Sequence, residues 1–183
     1  MKARAAPLET DRLRLREITV DDADFIVAQL NDPDFVKHVA DRGVRDATAA
    51  RAYILSGPVA SYTRHGFGLC VVESKISRAP IGICGLIKRD GLDDVDLGYA
   101  FLPSFRGQGF AHEAASAVMT QAREFGFERV VAIVAPDNAP SIKLLSKLGF
   151  CYERRVTLAG DAHELLLYAS SRGARFARDS RAH

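Results

Sequence analysis

Leu13 and Leu15 alternate with Arg12, Arg14 and Arg16, a period of two that predicts a half-buried strand within residues 8–16. Ala23, Ile26, Val27 and Leu30 then recur at helical spacing. Thr19 stands before them as an N-cap, and Asp21 and Asp22 occupy the first turn, where the helix dipole favours carboxylates. Asn31-Asp32-Pro33 ends this helix, and residues 34–43 are short and mixed in pattern. Asp46 opens a second helical stretch with Ala50, Tyr53 and Ile54 on one face, interrupted by Gly57-Pro58. Residues 66–73 and 81–87 read as strands joined by the Ser77-Arg78-Ala79-Pro80 turn, and Asp90-Gly91 turns the chain into a third strand over Val95–Phe101. Such short turns predict an antiparallel meander and argue against a doubly wound dinucleotide fold.

Beyond residue 110 the period changes. Residues 111–125 form an alanine-rich helix closed by Gly126, and residues 129–135 are nearly continuously apolar, as a strand buried on both faces would be. Asn138 is placed to cap a helix over residues 139–147, with Pro140 in its first turn and Gly149 after its end. Residues 151–158 and 164–169 make a last strand pair around Ala159-Gly160-Asp161. The order is β-α-α-β-β-β-α-β-α-β-β, without repeat or linker before residue 170, so a single α/β domain over residues 1–170 is expected. In residues 171–183, Arg172, Arg175, Arg178 and Arg181 recur among small and polar residues; this reads as a solvated tail, with an anionic partner such as RNA as the competing reading.

Composition narrows the classes. At 48% hydrophobic and 26% charged residues, the 183-residue chain has the make-up of a globular protein, and a formal charge of +2 gives no global case for nucleic-acid binding. Cys70, Cys84 and Cys151 show no CxxC spacing and each lies in a strand-like run, so buried, reduced thiols are expected. An odd cysteine number without an apolar leader in the first residues favours the cytoplasm, and no apolar run reaches the roughly 18 residues that span a bilayer. His38, His65 and His112 form neither a metal-ligand spacing nor a Ser/His/Asp set, and read as surface residues.

The chemistry concentrates after the third meander strand, in Phe101-Leu102-Pro103-Ser104-Phe105-Arg106-Gly107-Gln108-Gly109-Phe110-Ala111. A strand stops at a proline, two glycines follow, and a helix begins. The amides of a first helical turn lack intrahelical partners, and glycine lets a ligand approach the backbone, so this stretch is a receptor for an anion such as pyrophosphate, with Arg106 as a cation at its entrance. It is neither GxGxxG nor a P-loop, which would carry Lys-Ser/Thr.

Arg106-x-x-Gly109-x-Ala111 resembles the Q/R-x-x-G-x-G/A pyrophosphate signature of the GNAT superfamily of N-acetyltransferases, and Asn138-x-x-Ser141…Lys147-Leu148-Gly149-Phe150 resembles a second segment of the same family. Leu8-Glu9-Thr10-Asp11-Arg12-Leu13-Arg14-Leu15-Arg16 and Asp96-Leu97-Gly98-Tyr99 resemble its ribosomal-protein N-terminal (RimJ/RimL-like) branch. The resemblance implies a mixed, mostly antiparallel sheet of about seven strands with about four flanking helices, parted between the strands at residues 95–101 and 129–135 to admit acetyl-coenzyme A. Pantetheine would pair with the backbone near Phe101 and Leu102, which would also supply the oxyanion donor. Pyrophosphate would rest on Gly107, Gln108, Gly109, Phe110 and Ala111 beside Arg106, and Asn138 and Ser141 would touch the far side of the pantetheine. No metal is implied.

Transfer needs a neutral amine. Near pH 7.5 an α-amine of pKa about 7.8 is about one-third neutral, whereas a lysine of pKa about 10.4 is about 0.1% neutral, so an N-terminal acceptor needs little help from a base. Asp96 is the first candidate base, with an exposed structural aspartate as the alternative reading; Asp94 and Glu113 come after it, Glu113 reading chiefly as a helix-surface charge. Many family members carry a tyrosine where Leu145 stands, to protonate the departing thiolate. Leucine cannot, and Ser141 is the nearest hydroxyl in the motif. The expected activity is acetyl transfer to a primary amine, foremost the N-terminus of a ribosomal protein, by a monomer or homodimer. A small-amine acetyltransferase and a non-catalytic acyl-CoA-binding module are the alternatives.

Overall fold

The computed structural model describes residues 7–158 and 163–170, so the Arg-rich tail, the leader assessment at residues 1–6 and the Ala159-Gly160-Asp161 turn lie outside the described residues. One mixed sheet of eight strands, ordered β1-β2-β3-β4-β5-β6-β8-β7, organises the chain. Its strands are β1 (Leu8–Glu9), β2 (Leu13–Glu17), β3 (Leu69–Ser74), β4 (Pro80–Ile87), β5 (Val95–Phe101), β6 (Val130–Val134), β7 (Phe150–Val156) and β8 (Leu165–Ser170). The helices are α1 (Ala23–Leu30), α2 (Pro33–His38), α3 (Ala47–Ile54), α4 (Ala60–His65), α5 (Phe110–Glu124) and α6 (Ala139–Lys147).

The mixed, mostly antiparallel architecture is as expected, with local differences. The first strand is two: the chain turns at Thr10–Arg12 so that Leu8 opposes Leu15, and this hairpin supplies the added strand. Residues 34–43 contain α2, too short for a periodic pattern, capped by Asp32 with Pro33 in its first turn. Gly57-Pro58 does not break the second helix. The wide π-turn Leu55–Val59 absorbs the missing proline N–H, and the helical path runs on to Gly66, which closes it at φ 80°. Gly66 therefore caps a helix, and β3 starts at Leu69.

Alternation along β5 separates two cores. Val95, Leu97 and Phe101 pack with α5, with Leu145 of α6 and with Leu148 just after it; Ala114, Ala115 and Ala122 of α5 are fully buried and let that helix lie close on the sheet. On the other face Val71, Ile83 and Ala100 meet α1 and α3 through Ile26, Leu30, Ala50 and Ile54. Of the three cysteines Cys84 is buried and Cys70 half-buried, but Cys151 is exposed, because β7 is the sheet edge and its outer face is solvated.

Candidate active site

β4 and β5 pair from Ile87↔Asp96 to Gly82↔Phe101, and the Leu102 amide extends the ladder by donating to Ile81 C=O at 3.0 Å. On its other edge β5 runs parallel to β6 only at Val95↔Val130 and Asp96↔Val131. Beyond Asp96 the two strands part. Antiparallel hydrogen bonding alternates along a strand, so the even residues of β5 are committed to β4, while the backbone groups of Tyr99 and Phe101 face the gap. The amide available to an oxyanion is thus that of Phe101, not Leu102.

Asp96 stands where the strands diverge. Its side chain is 1% exposed, accepts from the Ile133 amide of β6 at 3.3 Å and is ion-paired with Arg89 Nε. Burial pushes its pKa above the ordinary carboxylate range, against the pull of Arg89. It is therefore not the exposed strand aspartate that alternation allowed: the face it shares with Gly98 and Ala100 lies under the α1–α4 layer. Asp94 is paired with Arg129 at 2.8 Å, and Glu113 binds Thr10, the Arg12 amide and the Arg12 guanidinium (2.6 Å), so neither is a free base nor a mere surface charge.

The glycine loop forms as its sequence suggests. Gly107 and Gly109 have φ of 73° and 81°, in the left-handed region that disfavours side chains, and Gly109 is the N-cap of α5. The first intrahelical bond runs from Glu113 N–H to Gly109 C=O at 3.1 Å, which leaves the Phe110, Ala111 and His112 amides without intrahelical acceptors. Gln108 turns its side-chain amide back to Ser104 C=O at 2.8 Å. Arg106, expected as the loop's cation, is bound elsewhere: Nε donates to Phe101 C=O at 2.8 Å, and its two terminal nitrogens pair with Asp34 and the buried Asp32. Arg12 takes the place beside the loop. Its guanidinium lies 4.5 Å from the Phe110 ring centroid, donates to Gln108 C=O at 3.1 Å, and would be 3.4 Å from a Cβ built on Gly109. In the sequence Arg12 is one of three arginines alternating with leucines, and its link to Glu113 spans 101 positions, beyond any local signal.

Across the gap, Asn138 Oδ1 accepts the Ser141 amide at 3.2 Å as the cap of α6, and Tyr99 donates to Ser141 C=O at 3.3 Å. The structure therefore brings Asn138, Ser141 and Tyr99 together at the open end of β5 and β6. Together with Asp96, Ala132 and the buried Leu145 they line a cleft of about 640 Å³ that continues beneath α3 and α4 to Arg42, Tyr53 and Arg64. His38 and His65 line this cleft rather than open surface. Among the described residues no group of three or more His, Cys, Asp or Glu side chains could hold a metal, and no helix is long and apolar enough to cross a membrane.

A sheet parted beside a glycine-capped helix is the arrangement that the resemblance to acetyl-CoA-dependent transferases implies, and comparison with known proteins gives the family. A profile described as "Acetyltransferase (GNAT) domain" matches residues 12–151, and the chain belongs to that family. It is 31% identical over 151 residues to an uncharacterised N-acetyltransferase, p20, of Bacillus licheniformis (78% of this chain, 81% of that protein). A GNAT-family acetyltransferase structure from Bordetella pertussis superposes with TM-score 0.74 at 25% identity, covering 91% of this chain and all of that one. The fold is shared with the ribosomal-protein-S5-alanine acetyltransferase of Vibrio fischeri (TM-score 0.74, 19% identity, 92% and 98% covered) and with RimL, the ribosomal L7/L12 α-N-protein acetyltransferase, in complex with coenzyme A (0.77, 18%, 90% and 97%). The protein is an acyltransferase of the N-acetyltransferase kind, with acetyl-CoA as its acyl donor.

Proposed function

We propose that this enzyme acetylates the α-amine of a protein N-terminus by direct attack on acetyl-CoA in a ternary complex. The observation that carries this reading is that, among the described residues, the cleft holds no strong base placed free for a lysine. Its lining carboxylates are Asp96, held by Arg89 and the Ile133 amide, and the exposed Asp90, and its two imidazoles are weak bases, His38 beside Asp137 and His65 against the Phe67 ring. A lysine ammonium needs a strong base to lose its proton, whereas an α-amine is already partly neutral near pH 7.5.

In this scheme the amides of Gly107, Gln108, Gly109, Phe110 and Ala111 receive the pyrophosphate, with Arg12 as the adjacent cation. Pantetheine enters the gap along Tyr99 and Phe101, whose backbone groups face it, and the Phe101 amide stabilises the tetrahedral oxyanion. The neutral amine nitrogen forms the new C–N bond, the tetrahedral intermediate collapses with cleavage of the C–S bond, and the proton shed by the nitrogen passes to the departing sulfur or to water, leaving the amide and free coenzyme A. With Leu145 at the position beside it, the hydroxyl of Ser141 is the hydrogen-bond donor within the motif. Asp96 acts through structure: its carboxylate stands in for the missing ladder between β5 and β6 and holds their point of divergence, which makes it a positioning residue. Arg106 likewise positions the loop through Asp32 and Asp34.

The test is acetyl transfer, followed by mass spectrometry, to a lysine-containing peptide with a free and with a blocked N-terminus. Labelling of the free form alone is expected. Labelling of both overturns the reading in favour of lysine. Labelling of neither, with small amines turned over, moves the acceptor to a small molecule.

A further inference from the structure

The cleft has a second end. Beyond Asp96 its wall is built from the segment after α2, from α3 and α4 and from the turn between β4 and β5, and cations outnumber carboxylates there: Arg42, Arg64, Lys88 and Arg89 against Asp90 and Asp96. Arg89 and Asp96 neutralise each other. Lys88 Nζ donates to the carbonyls of Leu92 and Asp93 at 2.9 and 2.7 Å and pairs with no carboxylate among the described residues. Arg42 and Arg64 have no carboxylate partner among the described residues, and the acid next to Arg42 in sequence, Asp41, is taken by Arg45 at 2.6 Å. Tyr53 of α3 lines the same cleft, half-buried and without a hydrogen-bond partner for its hydroxyl among the described residues. Burial raises its pKa while the charges of Arg42 and Arg89 draw it back, so both guanidiniums bear on the phenol. No residue from 107 to 112 lines this cleft, so these cations are not part of the phosphate loop.

A half-buried phenol and two exposed guanidiniums that pair with no carboxylate among the described residues, all lining one cleft, are donors free to meet an acceptor carried by a ligand. We infer that Arg42, Arg64 and Tyr53 form a subsite for a carboxylate carried close to the reacting amine, so that the acceptor is an acidic N-terminal segment with Asp or Glu in its first few residues. This rests on the amine-acetyltransferase reading above and adds the charge of the acceptor to it. The same chemistry could reach the site from the α-carboxylate of a free amino acid, and the experiment separates the two sources.

Two peptides identical except for Asp or Glu against Asn or Gln at the second and third positions are compared with free glutamate, at low and at high salt. The acidic peptide is expected to show kcat/KM about tenfold above its amide twin, mainly through KM, and to lose most of that advantage as salt rises. In a variant carrying Arg42→Gln and Arg64→Gln the ratio is expected to fall toward one, and in Tyr53→Phe by a smaller factor. Stabilisation of each variant by acetyl-CoA in a thermal melt shows that it is folded. Equal turnover of acidic and amide peptides by the unmodified enzyme overturns the subsite and leaves N-terminal acetylation standing. Turnover of free glutamate with no peptide labelled keeps the anion subsite but overturns the protein acceptor. A charge preference that survives intact in the double Gln variant places the recognition elsewhere and overturns the assignment to these residues.

Discussion

The glycine loop and the far wall of the cleft present different parts of the chain. The loop and the parted strands offer backbone: amides held by two left-handed glycines, and strand edges freed where β5 and β6 diverge. The far wall offers side chains, presented by α3, α4 and the loop before α3, and in the proposed scheme the first would take the donor and the second the acceptor. Backbone recognition constrains sequence tightly, because only glycine fits at φ near 80°, whereas a wall of side chains on helices can be rewritten without disturbing the fold. Under the proposed scheme the loop would serve a common donor while the side-chain wall is free to select an acceptor.

That contrast can be broken most sharply at Gly109. Gly109→Glu forces a side chain into the left-handed region and sets a carboxylate where phosphate charge must rest. Acetyl-CoA affinity, read by calorimetry, should fall by about a hundredfold or more, and unchanged affinity would remove the loop from the cofactor site. Arg106→Ala should come next. It leaves Asp32, whose side chain is 3% exposed, without its cation, at a cost of about 3 kcal/mol in chemical denaturation together with a raised KM for acetyl-CoA. A stability loss with KM untouched would show that Arg106 does not position the loop.

Asp96→Asn leaves Arg89 unpaired near the parting of the strands and should cost about 2–3 kcal/mol. If Asp96 positions rather than abstracts, kcat falls while the shape of the pH–rate profile stays; loss of the acidic limb would make it the base after all. The smallest effect concerns the sign of pH dependence. Hydrogen bonds from Thr10 and Arg12 overcome the opposing effect of burial and hold Glu113 below the ordinary glutamate range. Its contribution is present above the unfolded pKa and is lost as pH falls through the lowered one. Asp96 runs the other way, its raised pKa favouring the fold below the unfolded value and weakening it as pH rises through the folded one. Glu113→Gln should thus flatten the acid side of a stability–pH curve by about 1 kcal/mol, and an unchanged acid limb would rule the contact out as a stabilising one.

What could be read from sequence follows the same division. The strand, the glycine loop, the α6 cap at Asn138 and the family were legible because each is written in adjacent residues. The roles of Arg106 and Arg12 were not. Arg106 meets Asp34 and Asp32 across 72 and 74 positions, and charge alone could not say whether it faced a ligand or its own fold. The environment of Asp96 was hidden for a related reason: alternation gave its face, but whether water or a helical layer covered that face is a tertiary fact. Cys151 misled because an apolar neighbour, Phe150, is buried while the edge strand turns Cys151 outward.

The short helix α2 has one more consequence. Asp32 and Asp34 at its start hold Arg106, which follows β5, while Lys37 at its end pairs at 3.1 Å with Asp137, which follows β6, and His38 Nδ1 lies 3.3 Å from the same carboxylate. It is a lintel across the doorway between the two strands. A doorway framed in this way needs no opening step, so acetyl-CoA should associate in a single phase whose rate climbs linearly with concentration; a rate that levels off at high cofactor would mean that the frame gives way first.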